Sequence, residues 1–178
     1  MKRKKTYKKK QEKKVLNKFK WKDSKHRESK PEKSVREILI SLNIPFHQEY
    51  RVSHKNKIKS YDFCIYEYKM GIEQLNWRLL IEVHGDYWHS LPFFEGIKKR
   101  HNLTKIQKKN LRNDILKRKI CKHNKIPIIY VWENEINKDL NSVKQKIMNS
   151  INYIKNNNDI EDIPTSIVPD YYQELVND

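Results

Sequence analysis

The chain is short of cysteine and glycine and has no long apolar run, and each shortage removes a class of protein. Two cysteines, Cys64 and Cys121, cannot build a disulfide framework or, by themselves, a cysteine-based metal site. The longest apolar stretch, Ile126-Pro127-Ile128-Ile129-Tyr130-Val131-Trp132, is far below the ~20 residues of a membrane-spanning helix. No apolar segment follows the charged N-terminus, so no secretory signal is expected. These absences predict a soluble, intracellular, cytoplasmic protein without a membrane partner. The length, 178 residues, is that of one domain. Positive charge is what the chain has in excess: 39 Lys+Arg against 22 Asp+Glu, a formal +17. A polyanion is therefore the default partner, and nucleic acid is the first candidate.

That charge is unevenly placed. Residues 1–30 contain 15 Lys/Arg and only Glu12, Asp23 and Glu28 as acids, which leaves them at +12. Residues 157–178 have six acids and no Lys or Arg, and the stretch between carries the remaining +11. Segment 1–29 has too few apolar positions for a core and reads as a flexible basic arm. Its Lys4, Lys5, Lys8, Lys9 and Lys10 are candidate contacts to a phosphate backbone. Segment 157–178 reads as an acidic extension, either loosely packed or shielding the basic surface.

Between them, 30–156 has the pattern of one compact α/β domain. Ser29-Lys30-Pro31-Glu32 has the form of a capping box with a proline in the first turn. Val35, Ile38, Leu39 and Leu42 follow at helical spacing, which predicts a helix over 30–43. Strands are expected over 46–52 and 60–67, the second alternating Tyr61, Phe63 and Ile65 with Asp62, Cys64 and Tyr66. The polar stretch from His54 to Lys59 joins them as a turn. Residues 77–84 are apolar enough for a central strand, and Gly85, one of three glycines, follows at once. A loop runs to about 103. A basic helix over 104–123 carries Ile106, Leu111, Ile115 and Ile120 inward and offers Lys108, Lys109 and Arg112 to a polyanion. A buried strand over 126–132 and a helix over 139–154 complete the order. Helix, three strands, helix, strand, helix implies a central mixed sheet flanked by helices.

Polar residues inside this apolar frame are the candidates for chemistry. Alternation puts Leu80, Glu82 and His84 on one face of their strand and Leu79, Ile81 and Val83 on the other. Burying a Glu and a His two apart is unfavourable unless they are paired. The turn His84-Gly85-Asp86-Tyr87-Trp88-His89 then gathers two histidines, an acid and two large aromatics. Asp62 in the preceding strand and Glu82 can converge on a divalent cation, whose preferred ligands are oxygens. Such an ion makes water more acidic and neutralises phosphate charge, and a histidine near its ordinary pKa of ~6.5 can accept the proton. Structural alternatives stand beside each reading. Asp62 suits a strand-end turn, Glu82 a lysine pair, Tyr87 and Trp88 a core, and Glu32 is explained by the capping box alone.

The run Leu80-Ile81-Glu82-Val83-His84-Gly85-Asp86-Tyr87-Trp88-His89 resembles the active-site strand and turn of very-short-patch-repair endonucleases. That family belongs to the PD-(D/E)XK nuclease superfamily, whose fold is restriction-endonuclease-like. Pro31-Glu32-Lys33 resembles the start of the family's first helix, and Tyr61-Asp62-Phe63 its acidic strand. Asn110 and Asp114 fall where the family has Asn and Asp in its long helix. Ile128-Ile129-Tyr130-Val131-Trp132-Glu133 resembles its closing strand. The resemblance covers about residues 29–135. It implies magnesium, replaceable by manganese, on Asp62 and the backbone carbonyl of Val83, with His89 as general base. It further implies that His84 faces the scissile phosphate or its leaving group and that Glu32 holds a metal-bound water or orients a histidine. Tyr87 and Trp88 are implied as wedges into the base stack of double-stranded DNA, with Asp86, Asn110 and Asp114 in supporting places.

Three departures matter. Asp86, Leu91 and Asn134 stand where the family has structural zinc ligands, so no structural zinc is expected. Glu82 replaces an apolar residue and, with His84, approaches the Glu-x-Lys signature of the superfamily, which makes it a second candidate metal ligand. Val83 replaces a hydroxyl residue, although a backbone carbonyl needs no particular side chain. The expectation is a magnesium-dependent, site-specific DNA endonuclease of homing or selfish-element character, phage- or virus-encoded. A T:G mismatch nickase and a catalytically silent DNA-binding module are the alternatives.

Overall fold

A computed structural model describes residues 28–68, 75–91 and 102–156. The arm lysines Lys4, Lys5, Lys8, Lys9 and Lys10, and the acidic extension, lie outside the described residues.

The first helix, α1 (Lys30–Ser41), starts where the sequence predicts. Ser29 caps it by accepting from the backbone N–H of Glu32, and its Val35, Ile38 and Leu39 are buried. Asn43, in the left-handed region at φ 53°, turns the chain into β1 (Phe46–His54). β1 and β2 (Lys57–Tyr68) form a hairpin closed by the two-residue turn Lys55-Asn56, with Lys55 at φ 51°. Both strands run further than polarity suggests. The ladder reaches His54↔Lys57 because backbone pairing tolerates solvated polar side chains there.

β3 (Leu75–His84) pairs antiparallel with β2 and parallel with β4 (Ile128–Trp132), giving the sheet order β1-β2-β3-β4. The parallel pair needs a crossover, and α2 (Lys105–His123) supplies it, opened by a reciprocal capping box between Thr104 and Gln107. A six-residue helix, α3 (Glu133–Lys138), absent from the sequence expectation, follows β4 directly, with Glu135 accepting from the Trp132 N–H at 2.9 Å. α4 (Leu140–Asn156) is the last described element.

Helices cover both faces of the mixed sheet. On one, Val35, Ile38 and Leu39 of α1 meet Leu79, Ile81 and Val83 of β3 and Val143, Ile147, Ile151 and Ile154 of α4. Removing any one of the leucine or isoleucine side chains to Ala costs about 2–5 kcal/mol by the usual cavity cost. On the other face, α2 packs Leu111, Ile120 and Cys121 against Tyr61, Cys64, Leu80, Tyr130 and Trp132. The alternation expected for Glu82 and His84 therefore holds, since both point toward the α2 side.

Two sequence expectations are corrected. Ile106 is exposed, because its neighbour Gln107 takes the inward position and donates to the Tyr87 carbonyl at 2.7 Å. Tyr61 does not share a face with Phe63 and Ile65: it packs with Cys64 and Leu80, and its hydroxyl donates to the Lys117 carbonyl. Strict alternation fails at Asp62, opposite Glu49, a β1 residue with φ 52°. No helix among the described residues is long and apolar enough to cross a membrane.

Candidate active site

The site forms where two central strands part. The β2–β3 ladder ends at Phe63↔Ile81, while β3 stays paired with β4 as far as His84↔Trp132. Past the fork, the Val83 N–H donates to Asp62 Oδ2 at 2.6 Å. A side-chain carboxylate thus closes the gap left by the sheet and is fixed beside the Val83 backbone. Glu82, one residue earlier on β3, points toward α2.

α2 supplies the opposing surface. Gln107, Asn110, Asp114 and Lys117 are spaced three, four and three apart, on one helical face, and each meets a site residue. Lys117 Nζ donates to Glu82 Oε2 at 2.6 Å in an ion pair whose side chains are 14% and 2% exposed. Asp114 Oδ2 lies 2.8 Å from His89 Nδ1. Asn110 donates to the Trp88 carbonyl at 3.0 Å, and Gln107 to that of Tyr87.

The electrostatics of the fork centre on too many carboxylates for one ammonium. Burial pushes Asp62 up to about 6, opposed by the Val83 hydrogen bond and Lys117 and reinforced by the charge of Glu32. Burial and the charge of Asp62 likewise raise Glu82 well above the ordinary carboxylate range. Burial disfavours the Lys117 ammonium, yet Glu82, Asp62 and Asp114 hold its pKa above the usual lysine value. Lys117 therefore stays charged, while Asp62 and Glu82 are both biased toward their protonated forms. Glu82 Oε1 is buried with no hydrogen-bond partner. An orphaned buried oxygen next to a second carboxylate is a fit for a hard divalent cation, with Asp62, Glu82 and the Val83 carbonyl as the residues able to hold it.

Next to the fork, the turn after β3 stacks two imidazoles. The rings of His84 and His89 lie 3.9 Å apart and within 9° of parallel. His84 is fully buried under His89, Tyr130 and Trp132, and neither of its ring nitrogens has a hydrogen-bond partner. Burial, followed by the neighbouring His89 and Lys117, lowers its pKa well below the usual imidazole value, so it is neutral. His89 is 22% exposed on its side chain. An ionised Asp114 only accepts, so their hydrogen bond places the His89 proton on Nδ1 and leaves the Nε2 lone pair for a base.

Tight local bonds hold the turn. His89 N–H donates to the Gly85 carbonyl and Leu91 N–H to that of Asp86. A Cβ on Gly85 would stand 3.3 Å from the Trp88 ring, tighter than packing normally allows. Asp86 accepts from the Asn134 N–H, tying the turn to α3. Tyr87 and Trp88 are 58% and 53% exposed, side by side and edge to face.

The structure brings together Asp62, Glu82, Val83, His84, His89 and Asp114, all singled out in the sequence. It changes the place of His84, which lies beneath His89 and has no face open to a phosphate. Glu32 acts electrostatically on Asp62, but its carboxylate accepts from the Ser29 hydroxyl at 2.8 Å and so stays at the helix cap. Lys109 and Arg112 are exposed and Lys108 half-buried on α2. Lys117 and Gln107 join the site without standing out in the sequence. Their one sequence signal is polar character in step with Asn110 and Asp114, and one lysine among so many basic residues carries little information. No known protein-family model, curated protein or solved structure matches the chain.

Proposed function

We propose that the chain is a magnesium-dependent DNA endonuclease that hydrolyses phosphodiester bonds by in-line attack of water, of homing or selfish-element type. The observation that carries this reading is the Asp62–Glu82–Lys117 cluster at the strand fork, set beside an Asp114-oriented His89. The +17 charge supports DNA as the substrate.

In this reading Asp62, Glu82 and the Val83 carbonyl hold Mg2+, or Mn2+ in its place. When bound, the ion stabilises phosphate charge and acidifies attacking water. His89 Nε2 takes the proton from that water, and Asp114 keeps the imidazole oriented and stabilises its positive form. Lys117 holds Glu82 in place and offsets one negative charge. His84 packs under His89 and sets the height of its ring. Tyr87 and Trp88 are placed to press into a distorted groove, at a cost of a few kcal/mol per unstacked step. Lys108, Lys109 and Arg112 with the arm lysines track the backbone, which positions the duplex without reading its sequence. Cutting both strands with one site per chain requires a dimer or two sequential nicks.

The exposed Tyr87–Trp88 pair favours one further reading, a T:G mismatch nickase, because a mismatched step is cheaper to unstack. Incubating the protein and Mg2+ with supercoiled plasmid and with a T:G-mismatched duplex separates the two. Plasmid cutting supports the leading reading, and nicking confined to the mismatch supports the second. Binding without cleavage in Mg2+ or Mn2+ leaves only a DNA-binding module.

A further inference from the structure

His84 is a buried imidazole with both nitrogens unsatisfied, a cost of about 1–3 kcal/mol for each such group unless something takes up a lone pair. Asp114 Oδ1 is buried without a partner too. One ligand atom each from His84, His89 and Asp114 lies within 4.8 Å of the others, the one such group of three among the described residues. Two imidazoles and a carboxylate suit Zn2+ and its neighbours in the transition series, whereas Mg2+ prefers oxygen alone.

We propose that His84, His89 and Asp114 form a second cation site, selective for a zinc-class divalent ion, and that filling it switches His89 off as a base. The switch rests on the nuclease reading; the binding site does not. His89 Nδ1 and Asp114 Oδ2 are hydrogen-bonded at 2.8 Å, and they need to part only to about 3.4 Å to become neighbouring ligands of a tetrahedral ion with bonds of about 2.0–2.2 Å. An ion held there takes the Nδ1 lone pair, so the single ring proton of neutral His89 moves to Nε2. A donor then stands where the base needs a lone pair, and no net proton is released. His84 completes the set by turning its ring edge toward the ion, and it gives up no hydrogen bond in doing so. Lys117, which acts on His84 across the pocket, is tied to Glu82 and does not occupy the site.

The test is calorimetric titration of the full, metal-stripped chain with ZnCl2 in excess MgCl2, with CoCl2 as a spectroscopic probe. Tight binding of one ion per chain is expected, with the visible spectrum of a nitrogen-ligated Co2+ site in the unsubstituted protein. Asp114→Asn and His84→Gln should each weaken it at least about tenfold, the scale of losing a supporting or direct ligand. Asp62→Asn and His123→Gln should leave it unchanged, the latter removing a stacked surface pair with His54. No binding with a dissociation constant tighter than about 1 µM overturns the site. So does loss of binding in Asp62→Asn or His123→Gln instead. Zinc that fills the site should halt magnesium-supported plasmid cleavage, reversibly on chelation, and continued cleavage overturns the switch. A chain that binds zinc but cuts nothing in Mg2+ or Mn2+ confirms the site and overturns the switch together with the nuclease reading.

Discussion

Replacing Lys117 by Met tests the electrostatic balance of the fork. The substitution keeps the side-chain volume and removes the only ammonium bonded to Glu82 among the described residues. Breaking a buried ion pair from one side typically costs about 3–5 kcal/mol, because the remaining charge is stranded. The protein has a cheaper escape, which is to bind one more proton. For a carboxyl with the ordinary pKa of 4.5, that proton costs about 3.4 kcal/mol at pH 7 and about 0.7 kcal/mol at pH 5. The folded-state pKa is raised, so the variant's deficit is small in acid and grows as pH rises. A deficit of about 3.4 kcal/mol corresponds to a melting point lower by roughly 10 °C for a domain of this size. Thermal melts followed by circular dichroism at pH 5, 6, 7 and 8 in EDTA measure it. Adding Glu82→Gln should recover most of the loss at pH 7, since the amide leaves no stranded charge. A deficit below about 1 kcal/mol at pH 7, one that does not vary with pH, or a double variant no better than the single, refutes the reasoning.

Asp114→Asn should lower magnesium-supported cleavage by about 10²–10⁴-fold, the usual worth of a positioned general base, while plasmid binding in a mobility-shift assay is retained; an unchanged rate assigns the proton transfer elsewhere. Cys64 and Cys121, pushed up to about 12 by burial, should react about a thousandfold more slowly with a thiol reagent at pH 8 in the folded protein than in urea. Equal rates would mean that the α2 face of the sheet opens readily. Replacing both Lys109 and Arg112 by Ala should reduce the slope of log binding constant against log salt by about 2, from two lost phosphate contacts. An unchanged slope removes this face of α2 from the DNA interface.

Much of this arrangement is readable from local pattern. The Ser29 cap, the four-residue apolar face of α4 and the period-two pattern of β3 are set by neighbours in sequence, so they fold as the pattern says. Glu82 and His84 stand out in β3 because polar groups in an apolar strand need a reason. The rest depends on contacts across the fold. Lys117 becomes distinctive only when α2 lies against β3 and buries it. The break at Asp62 falls opposite Glu49, whose left-handed backbone no alternation pattern contains. α3 is too short for periodicity and is set by its direct junction with β4, and Gln107 displaces Ile106 because a turn carbonyl is within its reach.

The central claim is that Asp62 holds the ion needed to cut DNA. Its direct measurement is the cleavage of supercoiled plasmid in Mg2+ by the unsubstituted chain and by Asp62→Asn, with DNA affinity measured alongside. The Asn amide still accepts from Val83, so the fork is preserved while the ion is lost. Magnesium-dependent cutting is expected from the first, at least about a hundredfold loss in the second, the scale of removing an electrostatic contact to the reacting group, and similar affinity for both. Equal cleavage by the two chains, or no cleavage by the unsubstituted chain in either Mg2+ or Mn2+, would contradict it.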